Sequence, residues 1–267
     1  MLVGCPSGLR STLGKRVVAR PRRFESCPHR MRVIFLNLDH GRKGQPLFDF
    51  LSSNSASTDI FCFQEATDFI LNKAKKLLPQ FDVFGIDKKI SEDEVYAVAS
   101  FVNQKYLSEN KQKIFEGLHG GLSMAFTILC NPNKIRIFNV HGIPQPGDKR
   151  DNEARIKQSK NIIESASKVN LPRIIGGDFN LLSDTTSIEI FEKAGYRNLI
   201  KDFKIKTTRS KNAWKVAFER NAPNMPFYEK QDFADYCFVS PEIKVTNFEV
   251  PNIEISDHLP LILDFEI

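Results

Sequence analysis

The chain has 267 residues, 41% hydrophobic and 26% charged, a globular balance with room for one large domain or two small ones. No apolar run approaches the ~20 residues of a membrane-spanning helix, and Cys5, Cys27, Cys62, Cys130 and Cys237 form no close-spaced pair, which excludes a thiolate metal site or a disulfide scaffold. The formal net charge of +6 lies wholly in the first thirty residues, where Arg10, Lys15, Arg16, Arg20, Arg22, Arg23 and Arg30 face Glu25 alone; residues 31–267 are balanced and give no bulk-charge case for a polyanionic partner.

Residues 1–30 have Gly and Pro but no hydrophobic period, and are expected to form a leader outside the domain. Three readings apply: an Arg-rich transit peptide, a disordered basic arm, or codons upstream of the true start. We favour the third, with translation from Met31. Arg23-Phe24-Glu25-Ser26 back-translates to the T-arm of a transfer RNA gene, and Cys5-Pro6-Ser7-Gly8 to a D-arm. Cys62 and Cys237 sit in apolar runs and read as small buried hydrophobes, which fits a reducing, cytoplasmic compartment.

From Met31 the chain opens into Arg32-Val33-Ile34-Phe35-Leu36, a buried-strand pattern. A helix is expected at 45–53, a strand at 59–63 and a helix at 68–78 ended by Pro79. Strands follow at 81–86, 95–102, 122–130 and 135–140. The stretch between Asp87 and Gly121, with Lys88, Lys89, Lys105, Lys111 and Lys113 among acids, otherwise reads as a surface insertion. His141 to Asp151 holds two Pro and two Gly and must be loop. Asp151 then caps a long helix to about Val169. A strand at 173–176, a helix near 186–194 and strands at 213–219, 233–239, 244–250 and 260–266 complete a single α/β or α+β domain over 31–267.

The strand ends carry the chemistry. They read Asn37-Leu38-Asp39, Gln64-Glu65, Asn139-Val140-His141, Gly177-Asp178-Phe179-Asn180, Asp235-Tyr236 and Ser256-Asp257-His258. Apolar strands do not carry such groups without cost. If the ends share one edge, the carboxylates form a hard-oxygen cluster suited to Mg²⁺ or Mn²⁺, and with such an ion the cluster can bind and polarise a phosphate.

In this order the motifs resemble the endonuclease/exonuclease/phosphatase superfamily, over Met31 to Ile267. The resemblance implies a four-layer sandwich: two mixed β-sheets face to face, helices on the outer faces, the active site along one edge. It further implies that Glu65 holds the metal with Asn37, Asp39 or Asp257. Asp178 orients or deprotonates the attacking water, and Asn180 fixes the phosphate or that water. His258, buttressed by Asp235, stabilises the transition state or moves a proton, and His141 matches a second catalytic histidine of some branches. Arg155 and Gln158, one helical turn apart, are expected to support the loop bearing His141.

His40 and His119 have no role in this reading. Thr207-Thr208-Arg209-Ser210 reads as a solvated loop, although Arg209 could reach a phosphate, and Trp214 as a packing residue. Phe233 stands where the exonuclease III branch carries Arg, and the neutral body lacks a duplex-binding surface, which disfavours abasic-site repair. The expected activity is hydrolysis of a phosphodiester, in nucleic acid or a small molecule, with phosphomonoester hydrolysis or a catalytically silent binding module as alternatives. No protein partner is implied.

Overall fold

Two runs that are apolar on both faces become central strands. In β1 (Arg30–Asn37), Val33 and Phe35 point one way into the main core while Ile34 and Leu36 point the other. In β2 (Ile60–Ala66), Ile60 and Cys62 alternate with Phe61 and Phe63 in the same manner. The computed structural model describes residues 30–89, 95–117, 121–211, 213 and 231–267. Residues 1–29, His119, Trp214 and the strand expected at 213–219, apart from Ala213, lie outside them.

Among the described residues there are two mixed sheets of six strands. The first runs β11 (Lys244–Glu249), β12 (Leu261–Glu266), β1, β2, β4 (Val95–Asn103), β3 (Phe81–Lys89). The second runs β5 (Leu107–Glu116), β6 (Leu122–Cys130), β7 (Asn133–His141), β8 (Arg173–Asp178), β10 (Asp235–Val239), β9 (Arg197–Asn198). Their inner faces share one apolar core. Leu47, Leu51, Ile70 and Ala74 of α1 (Gln45–Asn54) and α2 (Asp68–Leu77) cover the outer face of the first sheet. Ile162, Ala166, Ile188 and Phe191 of α3 (Glu153–Ser167) and α4 (Thr186–Lys193) pack on the second. The result is the expected four-layer sandwich. No helix among the described residues is long and apolar enough to cross a membrane.

Two close approaches position β8, one to the other sheet and one to its neighbour β7. A Cβ on Gly176 would lie 2.7 Å from the Phe35 ring, and one on Gly177, at φ 128°, would lie 2.2 Å from Val140 O. Only glycine fits either position. Beside them Asn139, fully buried on β7, reaches across to the other sheet. Its Oδ1 accepts from Gln64 Nε2 at 2.6 Å and its Nδ2 donates to Ala99 O at 3.0 Å.

Two local expectations need correction. Asn152, not Asp151, caps α3, accepting from Arg155 N at 2.9 Å. Asp151 instead accepts from Thr186 N at 2.6 Å and Ser187 N at 3.0 Å, so its charge sits at the N-terminus of α4. The supposed surface insertion contains β5, an edge strand bearing two bulges against β6, with Lys111 lying over the Phe84 ring. A 3₁₀ turn, Asp39–Gly41, and the short pair β9 and α5 (Leu199–Asp202) had no sequence expectation. Cys62 and Cys237 are buried as read, and burial pushes the Cys62 thiol up to about 12.

Candidate active site

Strand register gathers the polar ends. Asn37 pairs with Gln64 across parallel β1 and β2, and His141 with Asp178 across parallel β7 and β8. Asp235 opens β10 opposite Asp178. The Ser256–His258 loop reaches the same edge because β12 runs antiparallel to β1.

Asp178 stands at the centre. Its Oδ2 accepts from Asn37 Nδ2 at 2.9 Å and Asn180 Nδ2 at 3.2 Å, and its Oδ1 from the Asn180 backbone N at 2.8 Å. Burial opposes its ionisation, but His258, Lys149 and His141 outweigh burial and hold the carboxyl below its usual range. His258 Nε2 and His141 Nε2 lie 3.7 and 3.9 Å from the same Oδ2.

His258 is oriented by Asp235, whose carboxylate oxygens lie 2.9 and 3.0 Å from Nδ1. Burial and the Arg209 guanidinium oppose protonation of the imidazole, yet Asp235, Asp257 and Asp178 prevail and push it up to about 9. Glu65 faces two imidazoles, His40 Nε2 at 3.1 Å and His141 Nε2 at 3.4 Å. Burial disfavours its charge, but those two histidines hold it well below the carboxylate range. Asp39 is ion-paired to Arg42, and its backbone N donates to Asn37 Oδ1 at 3.0 Å. Burial and the neighbouring Asp257 raise its pKa.

All nine expected residues, Asn37, Asp39, Glu65, His141, Asp178, Asn180, Asp235, Asp257 and His258, therefore meet in one network. Backbone strain concentrates here too. Among the described residues seven non-glycines have left-handed φ, and Asp39, His40, Glu65, Lys149 and Asn180 are five of them.

Three members had no firm sequence expectation. His40 contacts Glu65. Lys149 is buried and donates from Nζ to Asn180 Oδ1 at 2.6 Å. Burial pushes its ammonium down, while Asp178, Asp235 and Asp257 draw it up. Arg209 does not lie in a solvated loop: it is buried, with Nη2 donating to Asp257 Oδ2 at 2.8 Å and Nη1 lying against His258 Nε2. Both cations reach the site from irregular segments, where no periodicity marks them. Arg155 and Gln158 do support the His141 loop. Arg155 donates to Ile143 O, Arg150 O and Pro146 O, and Gln158 accepts from Ile143 N at 3.1 Å.

A family model described as "Endonuclease/Exonuclease/phosphatase family" matches residues 34–258. The chain belongs to the endonuclease/exonuclease/phosphatase family. Family membership makes it a relative of phosphohydrolases, and solved structures agree on the fold. The mannosyl-6-phosphatase of Bacteroides thetaiotaomicron is 20% identical with a TM-score of 0.70, over 89% of this chain and 100% of that one. The human Nocturnin catalytic domain with bound sulfate is 18% identical at a TM-score of 0.66, over 93% and 99%. Truncated Caenorhabditis elegans TDP2 is 17% identical at 0.60, over 89% and 98%. A search of the curated proteins found no match.

Two groups of side chains among the described residues could hold a metal ion. Ligand atoms of Glu65, His141 and Asp178 lie within 4.8 Å of one another, as do those of Asp178, Asp235 and His258. Asp39, Glu65 and Asp257 repel one another at the same edge, a cost that a cation would relieve.

Proposed function

We propose that the protein is a Mg²⁺- or Mn²⁺-dependent phosphodiester hydrolase. The observation that carries this reading is His258, hydrogen-bonded by Asp235 and with Nε2 3.7 Å from an Asp178 carboxylate that two amides fix. Glu65, with Asn37, Asp39 and Asp257, would hold the ion, which supplies Lewis-acid stabilisation of charge on the phosphoryl oxygens. Asp178, kept ionised and fixed by Asn37 and Asn180, orients the attacking water by accepting its hydrogen bond. A depressed pKa makes Asp178 a poor proton sink, so orientation is its main contribution. His258, locked through Nδ1 by Asp235, presents Nε2 to the charge that grows on the phosphoryl group. His141, held beside Glu65, serves the leaving oxygen.

A phosphomonoester is the second reading, favoured by one observation: Lys149 and Arg209 place two buried cations at the edge, a complement for a dianion. Bis-p-nitrophenyl phosphate, p-nitrophenyl phosphate, plasmid DNA and short RNA, each with Mg²⁺, Mn²⁺ or EDTA, separate the two readings. Diester turnover abolished by EDTA is expected. Faster turnover of the monoester would favour the second reading, and EDTA-insensitive hydrolysis would remove the metal from both.

A further inference from the structure

We propose that Arg209 is a phosphate ligand of this site, parked on His258 and Asp257 until substrate arrives. The inference rests on the phosphoester-hydrolase reading above and adds a residue to it.

The backbone under Arg209 is fixed. Thr208, fully buried, accepts at Oγ1 from Ala234 N at 3.1 Å and Asp235 N at 3.2 Å. Its carbonyl accepts from Leu259 N at 2.8 Å, and Ser210 N donates to Asp257 O at 3.0 Å. Arg209 and His258 themselves form a β-bridge. The segment thus ties together the two stretches that carry Asp235 and His258, and it presents a long side chain from a rigid base at the point where those residues meet.

The contacts of the guanidinium are at odds with the work of their partners. Nη1 of the guanidinium lies against His258 Nε2, and an arginine N–H can only donate, so this contact is a hydrogen bond only while the imidazole is neutral and turns repulsive once it is charged. In the proposed reaction, however, Nε2 is the atom that must face the phosphoryl group. The other fork donates to Asp257 Oδ2, an oxygen of the expected ion-binding set. A merely structural arginine would gain nothing from covering both functional atoms. A phosphate ligand would, because the planar fork that now spans an imidazole nitrogen and a carboxylate oxygen matches two phosphoryl oxygens. Arrival of a phosphate beside the ion offers the guanidinium better acceptors and frees Nε2 and Asp257 together. Lys149, on Asn180, remains as a second cation near the same carboxylates.

A phosphate ligand and a structural prop for Asp257 differ in sign. Mn²⁺ affinity and inorganic phosphate affinity in the presence of Mn²⁺ would be measured by calorimetry for the wild type, Arg209→Gln and Arg209→Lys. Arg209→Gln is expected to weaken phosphate binding at least ~10-fold and to leave Mn²⁺ binding unchanged or tighter, since a competitor for Asp257 is gone. Arg209→Lys should recover part of the phosphate affinity, and it also serves if the glutamine variant fails to fold. Unchanged phosphate binding in the folded variants, or a loss of Mn²⁺ affinity, would overturn the assignment, as would a wild type that binds no phosphate. Wild-type turnover of the two nitrophenyl esters is scored separately: a protein that binds phosphate through Arg209 but hydrolyses neither ester refutes the hydrolase reading and leaves the binding assignment standing.

Discussion

Asp178 and His258 depend on neighbours for everything the site asks of them. Asn37, Asn180 and Asp235 fix their orientation, and the surrounding charges set their ionisation. Asp178→Asn and His258→Ala are each expected to lower turnover at least ~10²-fold while the circular dichroism spectrum stays that of the wild type. Near-normal rates in both would refute the roles proposed for them. His258 also links stability to pH. Its folded pKa lies above the ordinary 6.5, at about 9, so its charged form stabilises the native state fully below pH 6.5 and less as pH rises through 9. Denaturant unfolding in EDTA should show the wild type losing stability across that window more steeply than His258→Asn. Parallel curves would show that the imidazole is not the group responsible. The residues legible from sequence were those that end a hydrophobic run, because polarity at a strand terminus stands out against what precedes it. Lys149 and Arg209 were not legible: Lys149 sits among the charged residues of a turn, Arg209 in a polar stretch, and only the packing of Thr208 and Asn180 brings them inward.

Among the elements, β8 carries the largest share of the geometry. Its Gly176-Gly177 step lets the strand lie against Phe35 and Val140, and the next residue is Asp178. Gly177→Ala would require a left-handed φ of 128° and place its Cβ against the Val140 carbonyl. A loss of about 2–4 kcal/mol in urea unfolding is expected, with a matching drop in activity as Asp178 shifts against His141. A cost below ~1 kcal/mol would contradict so close an approach. The central strands were readable because both of their faces are apolar. β5 was not, because an edge strand exposed over most of its length has no alternation to read, and its lysines look like any solvated loop. The Asp151 and Asn152 exchange of capping roles was equally invisible, since two adjacent cap-competent residues are resolved only by which helix end lies within reach.

At the scale of the whole molecule, Arg30, the first described residue, pairs with Glu266 of β12 and places its exposed guanidinium 3.6 Å from Asp264. Asp264 keeps its two-pronged partner Arg32 at 2.7 and 2.8 Å, and Met31 is the first fully buried side chain. If residues 1–30 lie outside the domain, as we propose from their composition, a protein beginning at Met31 is expected to melt within ~2 °C of the full chain and to retain its rate. A larger loss would assign the leader a structural role and count against a start at Met31. The apolar runs made an α/β or α+β sandwich legible, and the four layers followed only through the family resemblance carried by the strand ends; the pairing order within each sheet was not legible, since it depends on crossovers that local patterns do not encode.

The nesting of one sheet within the other has a consequence for assembly. Residues 107–239 supply every strand of the second sheet, while the first is built from the chain on either side of that insert. Asn37, Glu65 and His258 come from the outer portion, and His141, Asp178 and Asp235 from the inner one. Neither portion holds a complete reaction centre, so hydrolysis can begin only after the two have docked. Severing the short turn from Asn103 to Leu107 would leave Asn37 and Glu65 on one fragment and His141, Asp178, Asp235 and His258 on the other, so two inert fragments that recover turnover on mixing would make catalysis a direct gauge of their docking.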